Sequence, residues 1–127
     1  MPTDLETKTN SNRDIVFVTG KMSRNKGAQA ERELAAYLSD ALGIEIKRKL
    51  DQAREGGDDL QVGQFRIEVK RRETLAIPQW VRQIEECTEE GEVPVVAFRQ
   101  NKQPWRIVIR LDDYVDYMKF SLQKKPD

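Results

Sequence analysis

Two short alternating runs of residues flank Gly63-Gln64, and they constrain the fold more than any other part of the chain. The run DLQV precedes this pair, and the run FRIEVKR follows it. A two-residue loop with glycine in first place is typical of a type II′ hairpin turn. If the pair is the whole turn, Leu60 lies opposite Ile67, and apolar residues share one face while polar residues share the other. The sequence therefore predicts an antiparallel hairpin with a single register.

The same register brings charged side chains together on the polar face of the hairpin. Asp59 lies opposite Glu68, and Lys70 projects from the same face because it is two residues further along the strand. Two carboxylates about 5 Å apart repel by roughly 3 kcal/mol at an effective dielectric near 20, so they need a compensating cation. One interpretation is Mg²⁺, which prefers hard oxygen ligands. The other is a cross-strand ion network in which Lys70 and Arg66 neutralise both acids.

An amphipathic helix is predicted upstream of the hairpin. Its apolar residues recur at four-residue steps from Ala30 to Leu42, the pattern begins near Asn25, and Gly43 follows as a stop. Glu31 stands in the first turn and borders the apolar stripe. This position is compatible with a third acid at the hairpin site. It is also typical of a first-turn glutamate that the helix dipole favours and that pairs with basic neighbours.

The remaining patterns predict further strands and helices around this unit. DIVFV at 14–18 is compatible with an edge strand, and GIEIKRKL at 43–50 alternates like a half-buried strand. Helical periodicity returns over 77–90, EVPVVAFR and PWRIVIR indicate two strands, and a last helix follows Leu111. We expect the chain to divide into an N-terminal tail with the edge strand over 1–22, one domain over 23–122, and a C-terminal tail over 123–127.

Composition restricts the chemistry of any site. The 127 residues include no histidine and a single cysteine, Cys87, which excludes a Cys/His zinc cluster, an internal disulfide and a histidine-based catalytic triad. Any metal must therefore be held by oxygen ligands. No apolar run approaches the roughly 18 residues of a membrane span, and the N-terminus lacks the order of a signal peptide, so we expect a cytoplasmic protein.

Charge is unevenly distributed, although the 22 basic and 22 acidic residues cancel. Residues 73–92 carry six acids against Arg82 alone, whereas basic clusters lie at 47–49 and 70–72. These clusters are able to bind a polyanion, and the alternative is that the charge runs are ordinary solvated faces.

Five segments together resemble the PD-(D/E)xK nuclease superfamily over roughly residues 24–118. They are KGAQAERELAAYL, GGDDL, RIEVK, an amphipathic helix and VPVVAFR. Within the superfamily, the layout is similar to Holliday-junction resolvases of the archaeal and phage type, and to the VRR-type nuclease module. The resemblance implies a single-domain, restriction-endonuclease-like α/β fold with an αβββαβ core, whose mixed sheet is flanked by helices. It also implies a right-handed parallel crossover from the RIEVK strand through the helix at 77–90.

The resemblance assigns the site residue by residue. Glu31 matches the family's acid on the first helix, Asp59 matches its aspartate, and Glu68 and Lys70 match its ExK pair. Asp59 and Glu68, assisted by Glu31, would hold Mg²⁺ or the substitute Mn²⁺, while Lys70 would orient water or stabilise charge on phosphorus. Asp58 stands where the family commonly has proline, which leaves open whether Asp58 or Asp59 is the principal ligand.

Further residues are expected around this site. Gln83, on the helix at 77–90, is an auxiliary candidate beside Lys70, with a solvated glutamine as the alternative. Trp80 and Trp105 lie on apolar stripes, and we expect both in the core. Phosphate contacts are expected from six basic residues, Lys47, Arg48, Lys49, Arg54, Arg71 and Arg72.

The predicted function is Mg²⁺-dependent hydrolysis of phosphodiester bonds in DNA, with four-way (Holliday) junctions or other branched DNA as the substrate. Two paired cuts favour a homodimer, with 14–18 or the C-terminal helix as candidate contacts. We expect the protein in the cytoplasm of a bacterium or of a phage-infected host. The alternatives are a non-catalytic DNA-binding or protein-interaction module on a nuclease-like scaffold, and a restriction enzyme with base-specific contacts.

Overall fold

The computed structural model of the chain describes residues 12–48 and 59–123, with burial and side-chain contacts described from Gly27 onward. Strands and helices alternate in this part of the chain. In order they are α1 (Asn12–Leu42), β1 (Leu60–Val62), β2 (Phe65–Arg71), α2 (Ile77–Glu86), β3 (Val93–Arg99), β4 (Arg106–Ile109) and α3 (Leu111–Gln123). The expected α/β class is confirmed, and the borders of the expected domain and tails stay predictions.

The four strands form one mixed sheet in the order β1-β2-β3-β4. β1 pairs antiparallel with β2, β2 runs parallel to β3, and β4 returns antiparallel to β3. Parallel neighbours need a crossover connection, and α2 lies in the segment that joins β2 to β3. The arrangement agrees with the expected restriction-endonuclease-like core.

The β1-β2 hairpin has the predicted register. Leu60 pairs with Ile67, and the pairing continues up to the two residues of the loop. Gly63 has a φ of 57°, whereas φ is not positive at Gln64. In a type II′ turn only the first loop residue needs a positive φ, and glycine adopts it without a steric penalty. The loop chemistry therefore fixes which residues of the two strands face each other.

Both faces of the sheet are covered by apolar clusters. On the α1 side, Ala30 and Leu34 of α1 pack with Ile67 and Val69 of β2. On the α2 side, the buried residues are Trp80, Ile84, Val96 and Phe98. Because side chains alternate along a strand, the even-numbered residues of β2 face α2. This alternation directs Glu68 and Lys70 toward α2.

The edge strand expected at 14–18 is wrong, because this segment lies within α1. The helix begins at Asn12 and has 31 residues, about twice the expected length. An Ile, Val and Phe run favours a strand only when a neighbouring strand supplies ladder hydrogen bonds, whereas each residue added to a helix closes its own backbone bond. Among the described residues, none of the helices is long and apolar enough to cross a membrane.

The strand expected over 43–50 is also wrong in its described part. Arg48 forms an isolated bridge with Leu60, and the residues just before it are not paired in the sheet. Two successive N–H groups after α1 donate instead to the carbonyl of Ser39, which satisfies an acceptor at the end of the helix. The described order is therefore αββαββα, one strand fewer than expected.

Candidate active site

Asp59 stands one residue before β1 and is hydrogen-bonded to two residues of β2. Its backbone N–H donates at 2.8 Å to the carbonyl of Ile67, the residue that pairs with Leu60, so the chain is still held against β2 at this point. Its side-chain Oδ2 accepts a hydrogen bond of 2.8 Å from the Val69 N–H. The residue is only 8% exposed. The turn and the ladder thus hold a carboxylate in the interior beside β2.

Glu68 and Lys70 follow each other on the face of β2 that α2 covers. Their neighbours in the parallel register are Val96 and Phe98, which belong to the apolar cluster on that side. Lys70 Nζ lies 3.0 Å from Glu68 Oε2, and less than a fifth of either side chain is exposed. The two groups therefore form a close and largely desolvated ion pair.

Trp80 of α2 adds a second contact to the ammonium group of Lys70. Lys70 Nζ lies 5.9 Å from the centre of the Trp80 ring, and Trp80 itself is buried. A cation at this distance from an indole face gains about 0.5–2 kcal/mol. The position of the Lys70 charge is therefore set by β2 through Glu68 and by α2 through Trp80.

Asp59 is a much weaker acid in this environment than an ordinary aspartate. Burial raises the pKa of Asp59, and the charges of Glu68 and Glu31 raise it further, to about 7. The hydrogen bond from Val69 and the charge of Lys70 lower this pKa without offsetting the increase. Near neutral pH, a substantial fraction of Asp59 is therefore protonated, and a cation beside it would favour the ionised form.

The other cation of the ion-network interpretation has a partner away from the two acids. Arg66 Nη1 contacts both carboxylate oxygens of Glu92, at 2.8 and 2.9 Å. Lys70 does bind Glu68, as that interpretation requires. The network nevertheless leaves Asp59 with a raised pKa, so the acid pair retains electrostatic repulsion that a further cation would relieve.

Glu31 borders the acid pair from α1 but is held by an arginine. Arg48 Nε donates to Glu31 Oε1 at 2.9 Å, and both side chains are mostly buried. The negative charge of Glu31 still acts on Asp59, because it contributes to the raised pKa of that residue. The structure therefore brings Glu31 to the edge of the site without releasing it from Arg48.

The donor set fits a divalent cation that keeps part of its water shell. Within residues 27–48 and 59–123, whose side chains the structure describes, no three acidic, cysteine or histidine side chains form a ready-made metal cage. Mg²⁺ is commonly held by one or two carboxylates together with substrate phosphate, so the oxygens of Asp59 and Glu68 meet its needs. Their mutual repulsion supplies the electrostatic reason for a cation to bind there.

The residues predicted to contact DNA differ in whether their charged groups already bind other protein groups. Lys47 is exposed and has a loose ion pair with Glu45 at 3.8 Å, whereas Arg48 is bound to Glu31. Arg72 is exposed, and its Nη1 donates to the carbonyl of the residue before it. Three predicted residues, Lys49, Arg54 and Asp58, lie outside the described residues.

The side chain of Arg71, at the end of β2, is bound by two neighbouring protein side chains. Its Nη1 lies 3.1 Å from Glu73 Oε2, and its Nη2 donates to Asn101 Oδ1 at 2.9 Å. Only 11% of its side chain is exposed. Arg71 therefore links two loops, and DNA would have to compete with both partners.

Sequence reasoning missed two contacts that shape the site, although the sequence contained a signal for each. Arg48 stands on the otherwise apolar side of its segment, which indicates an inward-facing charge that needs a partner such as Glu31. Trp80 lies on the apolar stripe of the crossover helix, and a crossover after β2 covers the face that carries Lys70. Gln83, the residue expected beside Lys70, is exposed on α2.

Comparison with known proteins identifies a family for most of the chain. The family described as "Phage putative PDDEXK endonuclease" matches residues 22–125. No curated protein matches the chain, and no solved structure does. The match spans all four strands and the three residues that form the acid-acid-lysine site, Asp59, Glu68 and Lys70. The chain therefore belongs to this PDDEXK nuclease family, whose superfamily is the one that the sequence motifs resemble.

Proposed function

We propose that this protein is a Mg²⁺-dependent DNA endonuclease that cuts branched DNA, with the four-way junction as the preferred substrate. The observation that carries the proposal is the burial of Asp59 and Glu68 close enough for their charges to interact, with Lys70 Nζ 3.0 Å from the Glu68 carboxylate. Two interior acids that repel each other destabilise a fold, and such a sacrifice is expected where a site is selected for function. A module that only binds DNA would gain nothing from carboxylates facing phosphate.

The acids would hold the metal, and the lysine would act on the phosphate. Asp59 and Glu68 would ligate a divalent cation, with Glu31 as a third oxygen donor once it leaves Arg48. When bound, such an ion polarises the scissile phosphate and lowers the pKa of a water molecule. Lys70 carries a fixed positive charge at the same place, which would stabilise the negative charge that builds on the phosphate oxygens. Glu68 and Trp80 keep that charge in position.

The preference for branched DNA rests on the resemblance to junction resolvases and on the number of catalytic centres that a dimer would present. The described residues contain one acid-acid-lysine set, and resolving a four-way junction requires two paired cuts. A homodimer with two-fold symmetry would present two such centres. The exposed Lys47 and Arg72 would contact backbone phosphates, which position DNA without reading its sequence.

A substrate panel tests this proposal. The purified chain is incubated with a four-way junction, a splayed duplex and a linear duplex of the same sequence, in Mg²⁺, in Mn²⁺ and in EDTA. We expect paired cuts in the junction with either metal, slower cutting of linear DNA, and none with EDTA. Equal cutting of junction and linear DNA would remove the branched-DNA assignment. Intact DNA under every condition would refute the nuclease itself.

A further inference from the structure

α3 is a helix that the rest of the described chain hardly covers. None of its 13 residues is buried, and Leu111, Tyr114, Tyr117, Phe120 and Leu122 are each at least half exposed. The ring of Tyr117 packs against Phe65, with centroids 5.8 Å apart. An isolated helix of this length is marginal in water, and its apolar side chains gain stability only when they are buried. α3 therefore lacks the packing that such a helix normally needs.

An open apolar groove lies beside α3 on the α1 side of the sheet. Its volume is about 580 Å³, and it is lined by side chains of α1, the sheet and α3. Five of its lining residues are at least half exposed: Leu42 at the end of α1, Ile44 just after that helix, Ile107 of β4, and Tyr114 and Tyr117 of α3. We call this groove together with α3 the apolar face. An exposed patch of this kind is typical of an interaction site.

We propose that the apolar face is the surface on which a second copy of the same chain docks, with α3 crossing its counterpart about a two-fold axis. The exposed parts of the five groove residues and Phe120 amount to roughly 700 Å², at about 200 Å² for each large apolar residue. Stable interfaces bury about 1,200–2,000 Å² in total, which is about 600–1,000 Å² on each partner. The area available thus meets the need of a dimer.

The charges on α3 favour a second copy over other occupants. Asp112, Asp113 and Asp116 lie in its first half, whereas Lys119 lies in its second half. Asp113 is paired with Arg110, which leaves Asp112 and Asp116 for a partner. In an antiparallel crossing about a two-fold axis, these two aspartates of each helix face the half of the other helix that carries Lys119. An amphipathic helix that binds a membrane surface carries mainly Lys and Arg on its polar side, and the three aspartates of α3 oppose this use.

The apolar face leaves the candidate active site open. The groove is on the α1 side of the sheet, whereas Glu68 and Lys70 face α2. A dimer joined through this face would keep both acid-acid-lysine sites accessible to DNA. Because only apolar area and charge on the apolar face support this dimer, its formation is independent of nuclease activity.

Sedimentation equilibrium and light scattering of the full chain test the dimer over a wide concentration range. Leu42→Lys and Ile107→Lys each place a charge in the groove from a different element. Both are suitable probes, because a cation is favourable in the last turn of α1 and lysine is well tolerated on an edge strand. Leu75→Lys is the matched control, since Leu75 is also an exposed leucine but does not line the groove. Circular dichroism verifies that every variant is folded.

The parent and Leu75→Lys are expected to form the same dimer. Each groove variant should raise the dissociation constant at least about tenfold. A parent that stays monomeric throughout the range overturns the proposal, as does a dimer that neither folded variant weakens. Flotation of the parent with vesicles of phosphatidylcholine and phosphatidylserine, without dimer formation, would assign the face to a membrane instead.

Discussion

Replacing Asp59 by asparagine is expected to stabilise the metal-free protein at neutral and alkaline pH. Asparagine keeps the shape of the side chain, and its carbonyl oxygen can still accept the hydrogen bond from the Val69 N–H. The substitution removes a negative charge that burial and two neighbouring carboxylates oppose. Loss of a buried charge in this setting should therefore increase the free energy of unfolding.

The size of the effect follows from the pKa of Asp59. The structure raises this pKa from 3.8 to about 7. A difference of roughly three pKa units corresponds to about 4 kcal/mol, which is an upper limit because the site relaxes when it is charged. We expect Asp59→Asn to add about 2–4 kcal/mol to the free energy of unfolding at pH above 7, or on the order of 10 °C in melting temperature.

The pH dependence has a definite sign. Because the folded pKa is raised, the folded state of the parent binds more protons than the unfolded state between about pH 4 and pH 7. The parent's free energy of unfolding therefore loses this contribution as pH rises through that window and remains without it above. The introduced asparagine does not titrate, so the advantage of the variant should be close to zero below about pH 4 and complete above about pH 7.

Urea unfolding in EDTA at several pH values measures this difference. Asp40→Asn, at an exposed position on α1, is the control and should change stability by less than about 0.5 kcal/mol. Addition of Mg²⁺ should stabilise the parent more than Asp59→Asn, since a ligand that binds only the folded state shifts the equilibrium. A variant that is less stable than the parent at alkaline pH would refute the reasoning and favour the ion-network interpretation. So would a difference that does not change with pH.

Three further predictions concern the neighbours of Asp59 and the DNA surface. Lys70→Met should abolish cleavage in single-turnover assays, because Lys70 acts on the reacting phosphate. Its affinity for DNA in EDTA should stay within about threefold of the parent's, and strong residual cleavage would argue against this role. Trp80→Ala should lower the free energy of unfolding by about 3–5 kcal/mol, as measured by urea titration. Trp80→Phe should lower it by less and should retain most of the parent's cleavage rate. Arg72→Gln should reduce the slope of log affinity against log salt by about 0.9, and an unchanged slope would exclude a phosphate contact.

The hairpin could be predicted in detail because its determinants are local. Gly63 allows the tight loop, and the alternation on either side then leaves one register that keeps Leu60 and Ile67 on the same face. That register also predicts that Asp59 and Glu68 lie close together, and the charge of Glu68 does raise the pKa of Asp59. The parallel pairing of β2 with β3 was also accessible, because a helix between two apolar strands is typical of a crossover.

The errors arose where hydrogen bonds and ion pairs that the alternation of residues does not specify decide the outcome. The apolar run at 14–18 has strand-forming residues, but strands need neighbours, and the backbone there is satisfied within α1. The alternating segment after Gly43 turns back on the end of α1, a choice that depends on Ser39 accepting its N–H groups. The Arg48 to Glu31 pair joins residues 17 positions apart, so the local pattern indicates that Arg48 faces inward but does not identify its partner.

Cleavage by a matched pair of variants tests most directly whether the acid-acid-lysine site is a metal-dependent nuclease centre. Parent, Glu68→Gln and Glu86→Gln are purified in parallel and assayed on one labelled junction with Mg²⁺ and with EDTA. Glu86 is exposed on α2, so its variant controls for the loss of one carboxylate and for contaminating nucleases. Parent and Glu86→Gln should cleave at equal rates in Mg²⁺. Glu68→Gln should cleave at least about a hundredfold more slowly, which corresponds to a loss of roughly 3 kcal/mol of transition-state stabilisation. Equal cleavage by Glu68→Gln, or cleavage by the parent that persists in EDTA, would contradict the account.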